Sequence, residues 1–262
     1  MAKESESVSF ENARGDRLAG VLELPAAPPR AFALFAHCFS CSKDIRAARE
    51  VARSLCSEGV AALRFDFAGL GMSQGEFADT NFSSNVDDLV AAADFLRTEY
   101  LAPALLVGHS LGGAAALAAA GRIEEVRAVA TIGAPASAAH VADAFDDKRS
   151  EIETEGEAEV SLAGRPFIIR RQFLEDIERA NVLGAAARLA RPLLIMHAPL
   201  DQTVGIENAG RIFAAARHPK SFISLDRCDH LLTGAQDAPY AARVLAAWAS
   251  RYIVSDRRRT VL

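Results

Sequence analysis

The sequence has no excess of positive charge and no long apolar run. Its 262 residues include 29 Lys and Arg against 34 Asp and Glu, for a formal net charge of −5. Nucleic-acid-binding proteins carry a basic face, and a membrane-spanning helix needs about 20 consecutive apolar residues. Neither nucleic acid nor a membrane is therefore expected as a partner. The three arginines at 257–259 are expected to belong to a solvated tail.

No secretion signal is expected either. The first seven residues are polar and precede no apolar core of a signal peptide, so we expect a cytoplasmic protein. The four cysteines, Cys38, Cys41, Cys56 and Cys228, are then expected to be reduced thiols. Cys38 and Cys41 have the C-x-x-C spacing of redox motifs, which leaves a thiol switch open. A zinc site would need a second pair of ligands, which the sequence does not offer, so no metal is expected.

Strand-like and helix-like segments alternate along most of the chain. The apolar run 31–36, bounded by turn residues, is typical of a strand buried on both faces of a parallel sheet. The alternation predicts an α/β fold with a doubly wound, mostly parallel sheet, as a single domain over residues 1–262. The predicted strands are 6–10, 17–23, 31–36, 60–65, 105–108, 126–132, 193–197 and 221–225. The predicted helices include one from Asp44 to Gly59, one over 86–96 with Ser84 and Asp87 as its capping box, 114–120, 204–217 and 237–253.

The alternation lapses between residues 137 and 190, which predicts a cap or lid insertion. An acidic run over 151–159 is expected to be a solvated face or a loop, and residues 160–169 turn at Gly164. Phe167, Ile169 and Phe173 are expected to contribute an apolar substrate pocket. The alternative, that these side chains form a small core inside the cap itself, has equal support from the sequence.

The stretch Gly108-His109-Ser110-Leu111-Gly112 stands between a strand pattern and an Ala-rich helix pattern. A Gly-x-Ser-x-Gly sequence in that context predicts a nucleophile elbow, a sharp turn that lifts a serine hydroxyl above the edge of the sheet. The two glycines leave room where the strand and the helix cross. Ser110 is therefore the candidate nucleophile.

Candidate partners for Ser110 follow two later strands. Sites in open α/β sheets form at the carboxyl ends of the strands, where Asp201 follows strand 193–197 and His230 follows strand 221–225. The order Ser, Asp, His is that of the α/β-hydrolase triad. Asp201 could instead be a turn residue. Asp229 is a competing acid, but it is adjacent to His230 in sequence, and its carboxylate is therefore poorly placed to reach that imidazole. The remaining histidines at strand ends are interpreted as hydrogen-bonded structural residues: His37, His109 and His197.

An oxyanion hole is predicted from two backbone amides. The turn His37-Cys38-Phe39 follows the third strand directly, where this fold supplies one N–H group, and Leu111 after the nucleophile supplies the other. We therefore expect the N–H groups of Phe39 and Leu111 to bind the developing negative charge. Cys38 and Cys41 would lie beside this hole.

At these residues the sequence resembles the α/β-hydrolase superfamily over its whole length. More narrowly it resembles the hydrolase half of bifunctional α/β-hydrolase/OsmC-family proteins, in the stretches 37–44, 64–71, 81–85, 108–113 and 218–222. The resemblance implies a serine esterase or acyl hydrolase without a cofactor, with Ser110, Asp201 and His230 as catalytic residues. Cys38 departs from the His-Gly-Phe of many esterases. An OsmC-like domain is absent from these 262 residues, so the chain is expected to be either a stand-alone relative or the hydrolase domain of a longer parent protein.

The sequence thus favours hydrolysis of small to medium carboxylic esters through an acyl-enzyme. Two alternatives stay open. The same triad serves thioesterases, amidases and peptidases, and a hydrolase fold can also be retained as a non-catalytic interaction module. An intact set of triad residues speaks against the second.

Overall fold

The computed structural model describes residues 4–253, in which an eight-stranded mixed sheet forms the centre. The strands of this sheet lie in the order β1-β2-β4-β3-β5-β6-β9-β10, and β7 and β8 form a separate hairpin. In this order the six strands from β4 to β10 are parallel to one another, whereas β2 is antiparallel to both of its neighbours, β1 and β4. The strands are β1 (Glu4–Glu11), β2 (Arg17–Leu24), β3 (Ala31–Ala36), β4 (Val60–Phe65), β5 (Leu105–His109), β6 (Ala128–Ile132), β7 (Glu157–Leu162), β8 (Arg165–Arg170), β9 (Leu193–His197) and β10 (Lys220–Ser224).

Helices cover both faces of this sheet, because successive strand residues point to opposite sides. Phe35 and Val107 face the side covered by α1 and α8, and their neighbours Leu34 and Leu106 face the side covered by α2 and α3. The doubly wound, mostly parallel sheet expected from the sequence is confirmed. The α-helices are α1 (Arg46–Ser57), α2 (Phe82–Glu99), α3 (Leu111–Ala119), α4 (Arg149–Glu155), α5 (Arg171–Arg179), α6 (Val182–Arg188), α7 (Glu207–Ala215) and α8 (Asp237–Ile253).

The start of α2 differs from the sequence prediction. The helix is capped by Asn81, whose side chain accepts a hydrogen bond from the Ser84 N–H at 2.8 Å. The Ser84 hydroxyl pairs in return with the Asn81 N–H at 2.9 Å. The capping box is therefore Asn81 with Ser84, and the predicted box of Ser84 with Asp87 is wrong by one turn. Both pairs have the spacing of a capping box, and the sequence pattern alone could not separate them.

The segment 137–190 lies between β6 and β9. It begins with a 3₁₀ stretch (Ala138–Lys148), continues through α4 and the β7–β8 hairpin, and ends with α5 and α6. The acidic run expected as a loop or solvated face is regular structure, in α4 and β7. Its glutamate side chains are exposed on both elements, while Ile152 and Ala158 between them are buried. The solvated-face interpretation is the correct one.

No helix within residues 4–253 is long and apolar enough to cross a membrane. The arginines at 257–259 lie outside the described residues.

Candidate active site

Ser110 occupies the tight turn between β5 and α3. Its backbone has φ +55° and ψ −128°, a conformation that L residues rarely adopt. The turn is possible only because its glycines lack side chains. A Cβ on Gly108 would lie 2.2 Å from the carbonyl oxygen of Gly112, and one on Gly112 would lie 2.3 Å from that of His37. The turn is held by the Ser110 N–H, which donates to the Ile132 carbonyl at 2.8 Å.

His230 connects Ser110 to Asp201. Its Nε2 lies 3.0 Å from the Ser110 Oγ, and its Nδ1 lies 2.7 Å from the Asp201 Oδ2. An ionised carboxylate only accepts hydrogen bonds, so Nδ1 donates to Asp201 and Nε2 is free to accept from the serine hydroxyl. Three of the predicted site residues therefore meet in one hydrogen-bonded chain, although 120 residues separate Ser110 from His230.

Asp201 is held by its own loop. Its Oδ1 accepts hydrogen bonds from the Thr203 N–H at 2.8 Å and the Val204 N–H at 2.9 Å. Burial by itself raises the pKa of Asp201. The hydrogen bonds from His230 and from these two amides outweigh burial, and the net effect is a pKa below the usual value. Asp201 is consequently ionised at neutral pH and oriented toward His230.

The competing acid, Asp229, points elsewhere. Its carboxylate accepts from the Thr233 N–H at 2.9 Å and from the Thr233 hydroxyl, within the same loop.

Sequence reasoning missed Gly133, which follows β6 with φ +57°. A Cβ there would lie 3.3 Å from the His230 Nδ1 and 3.4 Å from the Asp201 Oδ2. Its Gly-Ala-Pro sequence indicates a turn. It does not indicate that this turn makes room for the pair of His230 and Asp201.

A cavity of about 530 Å³ opens beside Ser110 and His230. Its wall comes from the 38–41 turn, from Leu111, from the 3₁₀ stretch and the β7–β8 hairpin of the 137–190 segment, and from the loop after β9. Most of the lining is apolar, including Val141, Leu162 and Leu231, and the polar side chains are Ser40, His140, Asp143, Ser161, Gln202 and Thr203.

The structure corrects the prediction of which residues of the 137–190 segment line the pocket. Phe167, Ile169 and Phe173 do not line the cavity. Ile169 and Phe173 are only 1% and 2% exposed, in the core between the segment and the sheet. Phe167 packs on Phe77, with ring centroids 4.5 Å apart. Large side chains here gain more from burial than from facing an open cavity, so smaller residues, such as Ala144 and Ala163, line it instead.

The expectation of four reduced cysteines is also corrected. Cys38 and Cys41 form a disulfide. The turn that contains them places their Cα atoms 5.3 Å apart, within the range a disulfide requires. Cys56 and Cys228 lie outside the disulfide and are buried. Cys38, Phe39 and Cys41 all line the cavity together with Ser110.

Three histidines near the site make structural hydrogen bonds. The Nε2 of His109 lies 2.7 Å from the carbonyl oxygen of His230, and that of His197 lies 2.7 Å from the carbonyl oxygen of Val204. Carbonyl oxygens only accept, so both Nε2 atoms carry the proton. The Nδ1 of His37 bonds the Cys38 carbonyl at 2.8 Å. Burial lowers the pKa of His37 and of His109 to about 4, and both are therefore neutral at neutral pH.

These neutral histidines predict a loss of stability in mild acid. An unfolded chain binds a proton on each histidine below about pH 6.5, whereas the folded protein leaves His37 and His109 neutral down to about pH 4. In that interval the unfolded state binds more protons, so the free energy of unfolding falls as the pH falls. Each histidine contributes about 1.4 kcal/mol per pH unit. Urea unfolding of His109→Gln, in which an amide N–H replaces Nε2–H, should show a shallower decline than wild type by that amount.

The control is Ser161→Ala, which changes an exposed side chain that has no titratable group. Its unfolding free energy should differ from that of wild type by a constant amount between pH 6.5 and 5. A decline equally steep in His109→Gln and wild type would contradict a neutral, buried His109.

Within residues 4–253 no group of three or more His, Cys, Asp or Glu side chains is arranged to hold a metal ion.

Comparison with known proteins identifies the family. A family model described as serine aminopeptidase, S33, matches residues 27–149. The crystal structure of the esterase domain of a Rhodothermus marinus protein is 52% identical with a TM-score of 0.78, and the match covers 95% of this chain and 99% of that one. Mouse alpha/beta hydrolase domain-containing protein 10 shares the fold, with 22% identity, a TM-score of 0.75 and 94% and 99% coverage. The chain belongs to the α/β-hydrolase superfamily, and the 52% identical relative in that superfamily is an esterase domain.

Two further relatives are less similar in sequence than the Rhodothermus marinus domain. The uncharacterized protein YfhR of Salmonella typhi is 26% identical over 237 residues, which cover 87% of this chain and 75% of YfhR. The human mitochondrial palmitoyl-protein thioesterase ABHD10 is 29% identical over 160 residues. That match covers 56% of this chain and 49% of the thioesterase, so the similarity spans about half of each protein.

Proposed function

We propose that this protein is a serine hydrolase that cleaves small to medium carboxylic esters through an acyl-enzyme. The observation that carries the proposal is the chain of hydrogen bonds from Ser110 through His230 to Asp201, at 3.0 and 2.7 Å. A serine hydroxyl is a weak nucleophile unless a base takes its proton, and this arrangement supplies the base and orients it. The 52% identity to an esterase domain supports the same reaction.

In the proposed reaction His230 Nε2 accepts the hydroxyl proton while Ser110 Oγ attacks the ester carbonyl carbon. Asp201 keeps the proton on Nδ1 and stabilises the imidazolium. The imidazolium then gives its proton to the departing alkoxide, and the acyl group stays on Ser110. Water then attacks the acyl carbon while His230 accepts its proton, and the imidazolium gives that proton to Ser110 Oγ as the carboxylic acid leaves. In the first half-reaction His230 thus passes the serine proton to the alcohol, and in the second it passes a proton of water to the serine.

Two backbone amides are proposed to bind the oxyanion. Leu111 is the first residue of α3, and the first N–H groups of a helix have no partner within it. Within residues 4–253 the Phe39 N–H also has no protein acceptor. Both residues line the cavity with Ser110. The positive end of the α3 dipole adds to the stabilisation of an anion at this point.

The cavity supports a substrate of limited size. A volume of about 530 Å³ with a mainly apolar wall suits a short or medium acyl chain. The polar side chains of the wall would contact the ester or its alcohol. No cofactor takes part in the proposed reaction.

A second candidate is thioester hydrolysis by the same residues. It is favoured by the similarity to human ABHD10, a palmitoyl-protein thioesterase, and a peptide or amide bond is a further alternative within the same chemistry. Rates with p-nitrophenyl butyrate, butyryl-coenzyme A and an alanyl anilide, compared as kcat/KM, decide among these substrates. A non-catalytic interaction module is disfavoured by the intact hydrogen bonds to Ser110.

A fluorophosphonate probe tests the proposal, because it reacts only with a serine that has an activating base. Wild type should be labelled stoichiometrically, with the adduct on Ser110, and Ser110→Ala should not be labelled. Ser161→Ala is the matched control, since that residue lines the same cavity and is not part of the hydrogen-bonded chain of Ser110, His230 and Asp201, and it should still be labelled. Labelling of Ser110→Ala at the wild-type rate would refute the proposed nucleophile.

Two narrower hypotheses stay predictions. One is the resemblance to the hydrolase half of bifunctional α/β-hydrolase/OsmC-family proteins, with an OsmC-like domain in a longer parent protein. The other is residence in the cytoplasm.

A further inference from the structure

The disulfide between Cys38 and Cys41 closes a four-residue ring, residues 38–41, at the wall of the cavity. This disulfide ring contains Phe39, whose amide the proposed mechanism uses. Within the ring the Cys41 N–H donates to the Cys38 carbonyl at 3.1 Å. Ser40 has φ +57°, in the left-handed region that residues other than glycine rarely occupy. The covalent bond therefore helps to hold Phe39 in a turn that these residues do not favour by themselves.

Contacts from outside the ring fix Phe39 further. Its aromatic ring packs against Phe173 and Phe77, with ring centroids 5.4 and 5.5 Å apart. The Arg165 guanidinium, at the start of β8, donates a hydrogen bond to the Ser40 carbonyl. The turn is thus tied both to itself, through the disulfide, and to the 137–190 segment. Loss of the disulfide removes the only covalent member of this set.

The two cysteines of the ring differ in exposure. Cys38 is 3% exposed, whereas Cys41 is partly exposed. Both cysteines line the cavity that opens at Ser110. A cavity of about 530 Å³ has room for a small thiol, which would meet Cys41 Sγ first. Thiol–disulfide exchange requires this kind of access for the attacking thiolate.

We propose that the Cys38–Cys41 disulfide is a thiol-exchange site for small thiols and dithiols, and that its reduction displaces the Phe39 amide and slows hydrolysis at Ser110. The second half of this inference rests on the proposed function. A thiolate attacks Cys41 Sγ, the S–S bond breaks, and its electron pair goes to Cys38 Sγ, which takes up a proton. A second thiol attacks the mixed disulfide, releasing the Cys41 thiol and an oxidised small disulfide. Two electrons pass from two thiols to the protein.

Reduction should act on kcat more than on KM. An oxyanion donor stabilises the transition state and not the bound substrate, and removal of one donor typically costs about 10²- to 10³-fold in kcat. Displacement of the Phe39 amide is expected to cost about 10- to 100-fold, because the aromatic contacts and the Arg165 hydrogen bond still limit its movement. KM should change by less than about threefold.

The test uses dithiothreitol as the thiol and p-nitrophenyl butyrate as the substrate. Native protein is incubated with or without dithiothreitol, accessible thiols are counted by alkylation and mass spectrometry, and kcat and KM are measured. Cys41→Ser represents the ring without its disulfide. Cys56→Ala is the control, since it removes a thiol from α1 and leaves the ring intact. Fluorophosphonate labelling of Ser110 is measured in parallel on each sample.

The expected result is a gain of two alkylated residues, Cys38 and Cys41, with the loss of kcat given above and recovery in oxidised glutathione. Cys41→Ser should have the low kcat from the start and should not respond to dithiothreitol, and Cys56→Ala should respond as wild type does. The inference is overturned if no thiol is gained, if thiols are gained without a change in kcat, or if Cys41→Ser has the kcat of oxidised wild type. If the probe does not label Ser110, the proposed function has failed and the effect on hydrolysis fails with it. If the probe labels Ser110 but kcat does not change on reduction, this inference alone is overturned.

Discussion

Replacement of His230 by alanine is expected to lower kcat for an ester substrate by about 10⁵- to 10⁶-fold. Without its imidazole no base among residues 4–253 makes a hydrogen bond to the Ser110 hydroxyl, which His230 Nε2 contacts at 3.0 Å. The residual rate would come from the oxyanion amides and from substrate binding. Steady-state rates with p-nitrophenyl butyrate measure the loss, and circular dichroism verifies that the variant is folded.

The control for this prediction is His218→Ala, which removes an exposed imidazole outside the cavity. Its kcat should remain within about threefold of wild type. A His230→Ala variant that is folded and keeps more than a hundredth of the wild-type kcat would show that another group activates Ser110.

Replacement of Asp201 by asparagine is expected to lower kcat by about 10⁴-fold, equivalent to about 5 kcal/mol of transition-state stabilisation. The volume of the side chain hardly changes, but its Oδ2 would become an NH₂ group facing His230 Nδ1, now 2.7 Å away. The NH₂ group donates, so Nδ1 would have to accept and the ring proton would move to Nε2. His230 could then no longer accept the proton of Ser110. Pre-steady-state measurements should show the loss in both acylation and deacylation, because His230 is the base in each.

Asp229→Asn is the matched control, because Asp229 precedes His230 directly and its carboxylate binds Thr233 instead. Its kcat should fall by less than about tenfold. If the two asparagine variants lost activity equally, the assignment of Asp201 as the partner of His230 would be wrong.

Much of this architecture could be predicted because local sequence rules and the fold agree. The apolar run 31–36 is a strand buried on both faces, and the final helix has the predicted bounds, Asp237–Ile253. The turn at Ser110 was predictable for a steric reason, since only glycine fits where Gly108 approaches Gly112. Parallel strands end at one edge of a sheet, and this rule alone places Asp201 and His230 on the same side as Ser110.

The cavity wall was not predictable by the same means. In the 137–190 segment both the aromatic residues and the small ones are compatible with facing a pocket. The choice depends on which side chains the sheet and α2 leave room to bury, and those contacts come from distant parts of the chain. Phe173, for example, packs on Phe39, far away in sequence. A local pattern carries no information about such a partner.

By itself the sequence determined the turn at Ser110 and the succession of strands and helices that places candidate nucleophile, acid and base after the carboxyl ends of strands, because glycine sterics and apolar periodicity act between near neighbours. Only the tertiary structure decided which acid contacts His230, which residues line the cavity, and that Cys38 and Cys41 are bonded. Each of these depends on distances of a few ångströms between side chains. Those distances are set by the packing of elements that are remote in the sequence.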